Sequence, residues 1–181
     1  MHPDDASTWL RQGKILIHST EGIWGLGCDP KNKDAIKKIF FLKKRDPKKN
    51  FILLSATKSQ ALKYFAPISI IQDQFLESIW PGHTTVVYSA SSLIPKHITL
   101  SGDSIAIRVS NHLPVMNLLK AFNSLMVSTS ANISNEPTPA DPTTVMEIFR
   151  DQDVAMYAHP NGSAAKPSAI IDLKTMDYIR E

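Results

Sequence analysis

Short β-branched runs and amphipathic helical windows alternate along the whole chain, and this alternation most restricts what it can fold into. KILIH at 14–18, FILL at 51–54, TTVVYSA at 84–90, IAIRVS at 105–110 and LMV at 125–127 read as strands. VAMYA at 154–158, AIID at 169–172 and YIR at 178–180 follow the same pattern. Between them lie helical windows. One runs to about Gln12, capped by Asp4 or Asp5 and stopped by Gly13. A second runs from the cap Asn32 to about Lys44, with Ala35, Ile36, Ile39 and Phe40 on one face. Others span 58–65, 69–79, 113–122 with Pro114 early in it, and 143–149 behind the cap Asp141. The stretch 19–30 carries Gly22, Gly25 and Gly27 and reads as irregular chain or a bent strand. Such interleaving predicts an α/β fold with a mixed sheet. The chain has 181 residues, with no repeat and no linker, so one domain over 1–181 is expected.

Composition narrows the class. At 43% hydrophobic and 20% charged residues the chain is globular rather than disordered. A net charge of +3 and a pI near 8.9 fit a protein that handles phosphates or touches RNA, but many enzymes share that balance. The single Cys28 excludes an internal disulfide and fits a reducing cytosol. The N-terminus lacks a basic start and an apolar run, so no signal peptide is read. No stretch approaches the roughly 20 apolar residues of a membrane helix. A soluble cytoplasmic protein, with no membrane partner, is expected.

Three clusters could carry chemistry. Lys43, Lys44, Arg45, Lys48 and Lys49 form a basic run at a predicted helix end. It reads as a solvated face or as an anion site. Lys43 continues the stripe of Ile36, Ile39 and Phe40, whereas Lys44 does not, and a lysine on a buried face needs an anionic partner such as phosphate. Ser128, Thr129, Ser130 and Asn132 follow a strand, as a polar turn or as a loop of anion-binding hydroxyls and amides. In the third cluster, strand alternation puts Ser104, Ala106 and Arg108 on one face and Ile105, Ile107 and Val109 on the other. That face is either the exposed side of an edge strand or the wall of a cavity in which Arg108 meets a carboxylate. There is no P-loop, dinucleotide fingerprint or nucleophile elbow. The histidines show no zinc spacing, no metal ligand is assigned, and His18 and Cys28 read as core residues.

Taken in order, six segments resemble the YrdC/TsaC family of threonylcarbamoyl-AMP synthases. They are STEGIWGLG at 19–27, LKKR at 42–45, WPG at 80–82, SIAIRV at 104–109, STSAN at 128–132 and PSAIID at 167–172. The resemblance covers nearly the whole chain and looks like the short, single-domain form. The sequence departs from the family pattern at Ser19, Gly22, Asp46, His83 and Asn135. The resemblance implies a twisted mixed sheet with helices around a large basic cavity. It implies L-threonine, bicarbonate or CO2, and ATP with Mg2+ as substrates, and threonylcarbamoyl-AMP and pyrophosphate as products. Partner enzymes would then carry the threonylcarbamoyl group to tRNA, which the protein itself would bind weakly.

Such a nucleotidyltransferase needs alignment and cations rather than a protein nucleophile. By the resemblance, Lys43 and Arg45 are catalytic and hold triphosphate charge, with Lys49 assisting. Thr20, Arg108, Ser128 and Ser168 hold L-threonine. Ser104, Ser130, Asn132 and Thr138 line the nucleotide, and Arg180 closes over it. Two alternatives are a double-stranded RNA or tRNA binding protein and a YrdC-like paralogue without synthase activity. The RNA reading lacks an RNP-like aromatic stretch or a GXXG clamp.

Overall fold

The computed structural model describes residues 1–47, 49–99, 103–150, 153–164 and 167–181. Lys48, part of the basic run, lies outside them. In chain order the elements are α1 (Pro3–Arg11), β1 (Ile15–His18), β2 (Gly25–Cys28), α2 (Lys33–Leu42), β3 (Ile52–Ser55), α3 (Lys58–Leu62) and α4 (Ile70–Ile79). There follow β4 (Thr84–Ser89), a 3-10 turn (Lys96–Ile98), β5 (Ser104–Val109), α5 (Leu113–Phe122) and β6 (Met126–Ser130). The chain ends with α6 (Pro142–Ile148), β7 (Val154–Tyr157), β8 (Ala169–Asp172) and β9 (Asp177–Arg180). The strands form one sheet in the order β7-β1-β2-β6-β3-β5-β4-β8-β9. β1 and β7, β3 and β5, and β4 and β8 pair in parallel; the other neighbours are antiparallel, so the sheet is mixed as expected.

Strand alternation divides the sheet into two apolar faces. Ile15, Ile17, Leu26, Leu53, Ile105, Ile107 and Val127 face one core with the α2 residues Ala35, Ile36, Ile39 and Leu42. Leu16, Leu54 and Met126 face the other, under Ala6 and Leu10 of α1 and Val115, Leu118, Leu119 and Phe122 of α5. Burying a side chain of this size contributes roughly 1.5–3 kcal/mol. Further along that second face stand Gly25, Ile52, Ala106 and Ser128. Ser128 pairs across to Gly27 and Ile52, and Ile52 to Ala106. Mostly small side chains here leave open the space beyond the two helices.

Several local expectations need correction. His2, not Asp4 or Asp5, caps α1, its ring accepting from the Asp4 amide at 3.4 Å. Of the glycine-bearing stretch, Gly25–Cys28 forms a regular strand, β2, because β1 and β6 pair on both sides of it, while Gly22 lies in irregular chain as expected. β6 runs on to Ser130 through its pairing with β2, so Ser128 and Thr129 sit within a strand rather than a loop. α3 stops at Leu62, since Phe65 bridges to Ala90 instead. Gly13 ends α1 with φ +75°, and Asn32 caps α2 by accepting from Asp34 and Ala35, both as expected.

Candidate active site

A cavity of about 710 Å³ opens over the small-residue stretch of the sheet. Arg45, Arg108 and Arg180 line it, together with hydroxyls from Thr20, Ser104, Ser128, Ser130, Thr138 and Ser168. Nine of the residues expected at the site therefore meet around one space. Lys43, Lys49 and Asn132 do not line it. Lys49 is exposed.

The end of α2 separates the basic run. Lys44 adopts a left-handed φ of 48°, Arg45 N donates to Phe40 O at 2.9 Å, and Lys44 N to Phe41 O at 3.1 Å. This is a Schellman stop, two residues earlier than periodicity predicts, with lysine where glycine is usual. The reversal sends neighbouring cations to different places. Lys43 is 1% exposed, as its place in the apolar stripe requires, yet its partners are not anions. Its ammonium donates to Asn132 O at 2.8 Å, to Asn132 Oδ1 at 3.0 Å and to Ser130 O. Burial, with Arg45 and Lys49 close by, pushes its pKa down to about 7. Three oxygen acceptors around one nitrogen use all three protons of the ammonium form. Lys43 thus clamps the turn after β6 from behind. Asn132 Oδ1 also accepts from Ser130 Oγ at 2.6 Å, and Asn132 Nδ2 donates to Glu136 O. Arg45 instead reaches the cavity, its guanidinium 5.1 Å from the Phe51 ring centre and donating to Asn50 O at 2.6 Å.

Arg108 sits on the face predicted for it, with Ser104 and Ala106. Its Nη2 forms an ion pair with Glu21 Oε2 at 3.0 Å, and both side chains are 8% exposed. Ser110 Oγ donates to the other Glu21 oxygen at 2.6 Å. Burial alone would raise the Glu21 pKa, but Arg108 and the Ser110 hydroxyl outweigh it and hold the carboxyl below its ordinary value. Arg108 Nε is buried without a hydrogen-bond partner among the described residues, and the residue itself lines the cavity. Sequence reasoning missed Glu21 and Ser110 as site residues. Glu21 was visible only as a member of the STEG segment.

The remaining residues are held by local bonds. Thr20 Oγ1 donates to Ile23 O at 2.6 Å and accepts from the amides of Gly22 and Ile23, shaping the turn ahead of β2. Ser168 Oγ and Thr85 Oγ1 are 2.9 Å apart, and Arg180 Nη2 donates to Ser168 O at 2.7 Å, which pins β9 over the cavity rim. Ser128 Oγ lies 3.3 Å from Nε2 of the fully buried His18. The described cavity lining includes no carboxylate, so these residues do not fit a resident Mg2+.

The Sua5/YciO/YrdC family model, described as telomere recombination, matches residues 8–181. A threonylcarbamoyl-AMP synthase of Vibrio campbellii is 35% identical over 174 residues, 95% of this chain and 94% of that protein. P. abyssi Sua5, solved in complex with L-threonine, superposes with a TM-score of 0.84 at 27% identity, over 95% of this chain and 51% of that one. E. coli YciO gives a TM-score of 0.86 at 24% identity, over 99% of this chain and 88% of its own, and shares the fold. The chain belongs to the Sua5/YciO/YrdC family.

Proposed function

We propose that the cavity is the active site of an L-threonylcarbamoyladenylate synthase, a nucleotidyltransferase that serves threonylcarbamoyladenosine formation on tRNA in the cytoplasm. The observation that carries this reading is the set of three arginines, Arg45, Arg108 and Arg180, around one hydroxyl-lined cavity. It suits substrates that carry a carboxylate and a triphosphate. Relatives named threonylcarbamoyl-AMP synthase supply the reaction. The threonine amine adds to CO2 with loss of a proton, or condenses with bicarbonate with loss of water, to form a carbamate. Its oxygen attacks the α-phosphorus of ATP, the bond to the β-phosphate oxygen breaks, and pyrophosphate leaves.

Each residue has a task in this scheme. Arg108, braced by Glu21, pairs with the threonine carboxylate from the cavity wall. Ser128 and Ser168 hold the rest of the amino acid, over a floor that includes Thr20. Arg45 and Arg180 offset phosphate charge, with Lys49 at the mouth. Ser104, Ser130 and Thr138 line the nucleotide. Lys43 acts through Asn132 and Ser130, keeping their turn fixed. Preorganised cations of this kind lower the barrier without reorganising during the reaction. The RNA-binding alternative calls for a continuous exposed basic strip, and burial of Lys43 interrupts the run at 43–45.

Pyrophosphate release from ATP tests the reading. It is expected to require both L-threonine and bicarbonate, and not RNA. Release with neither present, or none with all three, refutes it. The second outcome favours a paralogue without synthase activity.

A further inference from the structure

His18 is buried at 0% exposure, beside the cavity rather than in its lining. Its Nδ1 lies 2.9 Å from Ser19 O. A carbonyl can only accept, so Nδ1 carries the proton. Burial, the largest influence on the ring, pushes its pKa down to about 4, so at neutral pH the imidazole is uncharged and Nε2 is bare. The group 3.3 Å from Nε2 is the Ser128 hydroxyl, which lines the cavity. Facing a bare nitrogen, that hydroxyl must donate.

The backbone is arranged to allow this contact. β2 lies between β1, which carries His18, and β6, which carries Ser128. The ring crosses β2 over Gly25 and Gly27. A Cβ on Gly25 would stand 2.7 Å from both Cε1 and Nε2 of His18 and 3.2 Å from Ser128 Oγ. One on Gly27 would stand 3.2 Å from His18 Cδ2. Neither glycine has a left-handed φ; passage of the ring accounts for Gly25, while at Gly27 the ring shares the close approach with Met126 Sδ and Val127 O, each 3.0 Å from such a Cβ.

We propose that His18 is a positioning residue that fixes the polarity of Ser128, committing its hydroxyl proton inward so that its oxygen faces the cavity as an acceptor for the amine of L-threonine and the N–H of the carbamate. This rests on the assignment of the cavity to L-threonine. A freely rotating hydroxyl would serve a carboxylate or a phosphate as well as an amine. With its proton engaged, Ser128 presents only lone pairs, which favour a donor and disfavour an anion. The carboxylate is left to Arg108, so the amino acid enters in one orientation, amine toward β6 and carboxylate toward β5.

The experiment combines a spectroscopic and a kinetic measurement. Nitrogen-15 NMR of the wild-type imidazoles, with His18 assigned by its loss in His18→Gln, is expected to show a neutral ring protonated on Nδ1 at pH 7. A proton on Nε2 overturns the proposal. His18→Leu, which removes the acceptor, is expected to raise the threonine KM about tenfold and leave the ATP KM within about twofold. His18→Gln, whose side-chain oxygen can accept near the position of Nε2, is expected to stay within about threefold of wild type for both. An unchanged threonine KM in folded His18→Leu, or equal rises in both KM values, overturns it. Should His18→Leu not fold, the same two KM values in His18→Phe, which keeps a ring but removes the acceptor, decide, with the same expected split. If the wild-type protein itself forms no threonylcarbamoyl-AMP, the threonine assignment falls, and this proposal with it. If the wild type is active and the split is absent, only the role of His18 falls.

Discussion

Two adjacent cations show how much a single residue's surroundings decide. Lys43 and Lys44 are chemically the same, but one is buried among three oxygens and the other is exposed. Lys43→Ala removes the clamp and strands the Ser130 and Asn132 acceptors. Hydrogen bonds to a charged group contribute about 1.5–3 kcal/mol each, so synthase activity is expected to fall at least about tenfold. Lys44→Ala is expected to stay within about twofold of wild type. Steady-state assays of the two variants check this, and equal losses would show that the run is only a solvated helix end. Arg108 supports a sharper expectation. Lysine keeps the charge but cannot offer two parallel N–H groups, or brace itself on Glu21 while engaging a carboxylate. Arg108→Lys is expected to raise the threonine KM by about tenfold or more while the ATP KM changes little. Weakening of both ligands together, with a lower Tm, would reduce Arg108 to a structural residue. The face of Arg108 and the burial of Lys43 were legible because each follows from a local period of two or 3.6 residues. Their partners were not, because Glu21 and Asn132 stand 87 and 89 residues away in sequence.

At the scale of the element, helix ends were read less well than helix faces. The Asn32 cap was recognisable because a short acceptor side chain before an apolar stripe is a local signal. The stop of α2 was not, because lysine rather than glycine occupies the left-handed position. That departure gives a test. Lys44→Gly relieves the strain of a side chain at φ 48° and is expected to stabilise the protein by about 0.5–1 kcal/mol. At this chain length that corresponds to a Tm rise of roughly 1–4 °C, with activity unchanged. Thermal melts decide; a drop in Tm would mean that the gain in unfolded-chain entropy outweighs the relief. Strand limits erred for a different reason. β2 contains two glycines and β6 ends in Ser-Thr-Ser, so weak strand formers, glycine and serine, occupy both; β2 is kept extended by β1 and β6, and the end of β6 by β2.

For the whole molecule, buried ionisable groups set the response to acid. His18 has a folded pKa of about 4 against 6.5 when exposed, so the unfolded chain binds its proton first. Stability from this group is complete above about pH 6.5 and declines as pH falls toward 4, by about 3 kcal/mol. Glu21 is also depressed, from a lower starting value of 4.5. Its contribution is complete above that value and is lost as pH falls below it through the folded pKa, when protonation uncouples the carboxyl from Arg108. Denaturant unfolding across pH 3–8 is expected to separate the two. His18→Gln flattens the upper window and Glu21→Gln the lower one. A wild-type curve that is level between pH 6.5 and 4.5 would contradict the neutral, buried His18.

The chain's alternation of strand and helix periods was enough to determine an α/β mixed sheet, its main helices and the faces of Lys43 and Arg108, since these depend on neighbours within a turn or two of chain. Only the tertiary structure decided which strands lie side by side. The order β1-β2-β6 brings His18 over Gly25 to Ser128, 110 positions further on, and the fold sets Glu21 against Ser110 across 89 positions. Pairing of distant strands depends on how whole faces bury against α1, α2 and α5, and no local pattern carries that information. The same arrangement placed mostly small side chains next to one another beyond the reach of the helices, and so made the cavity.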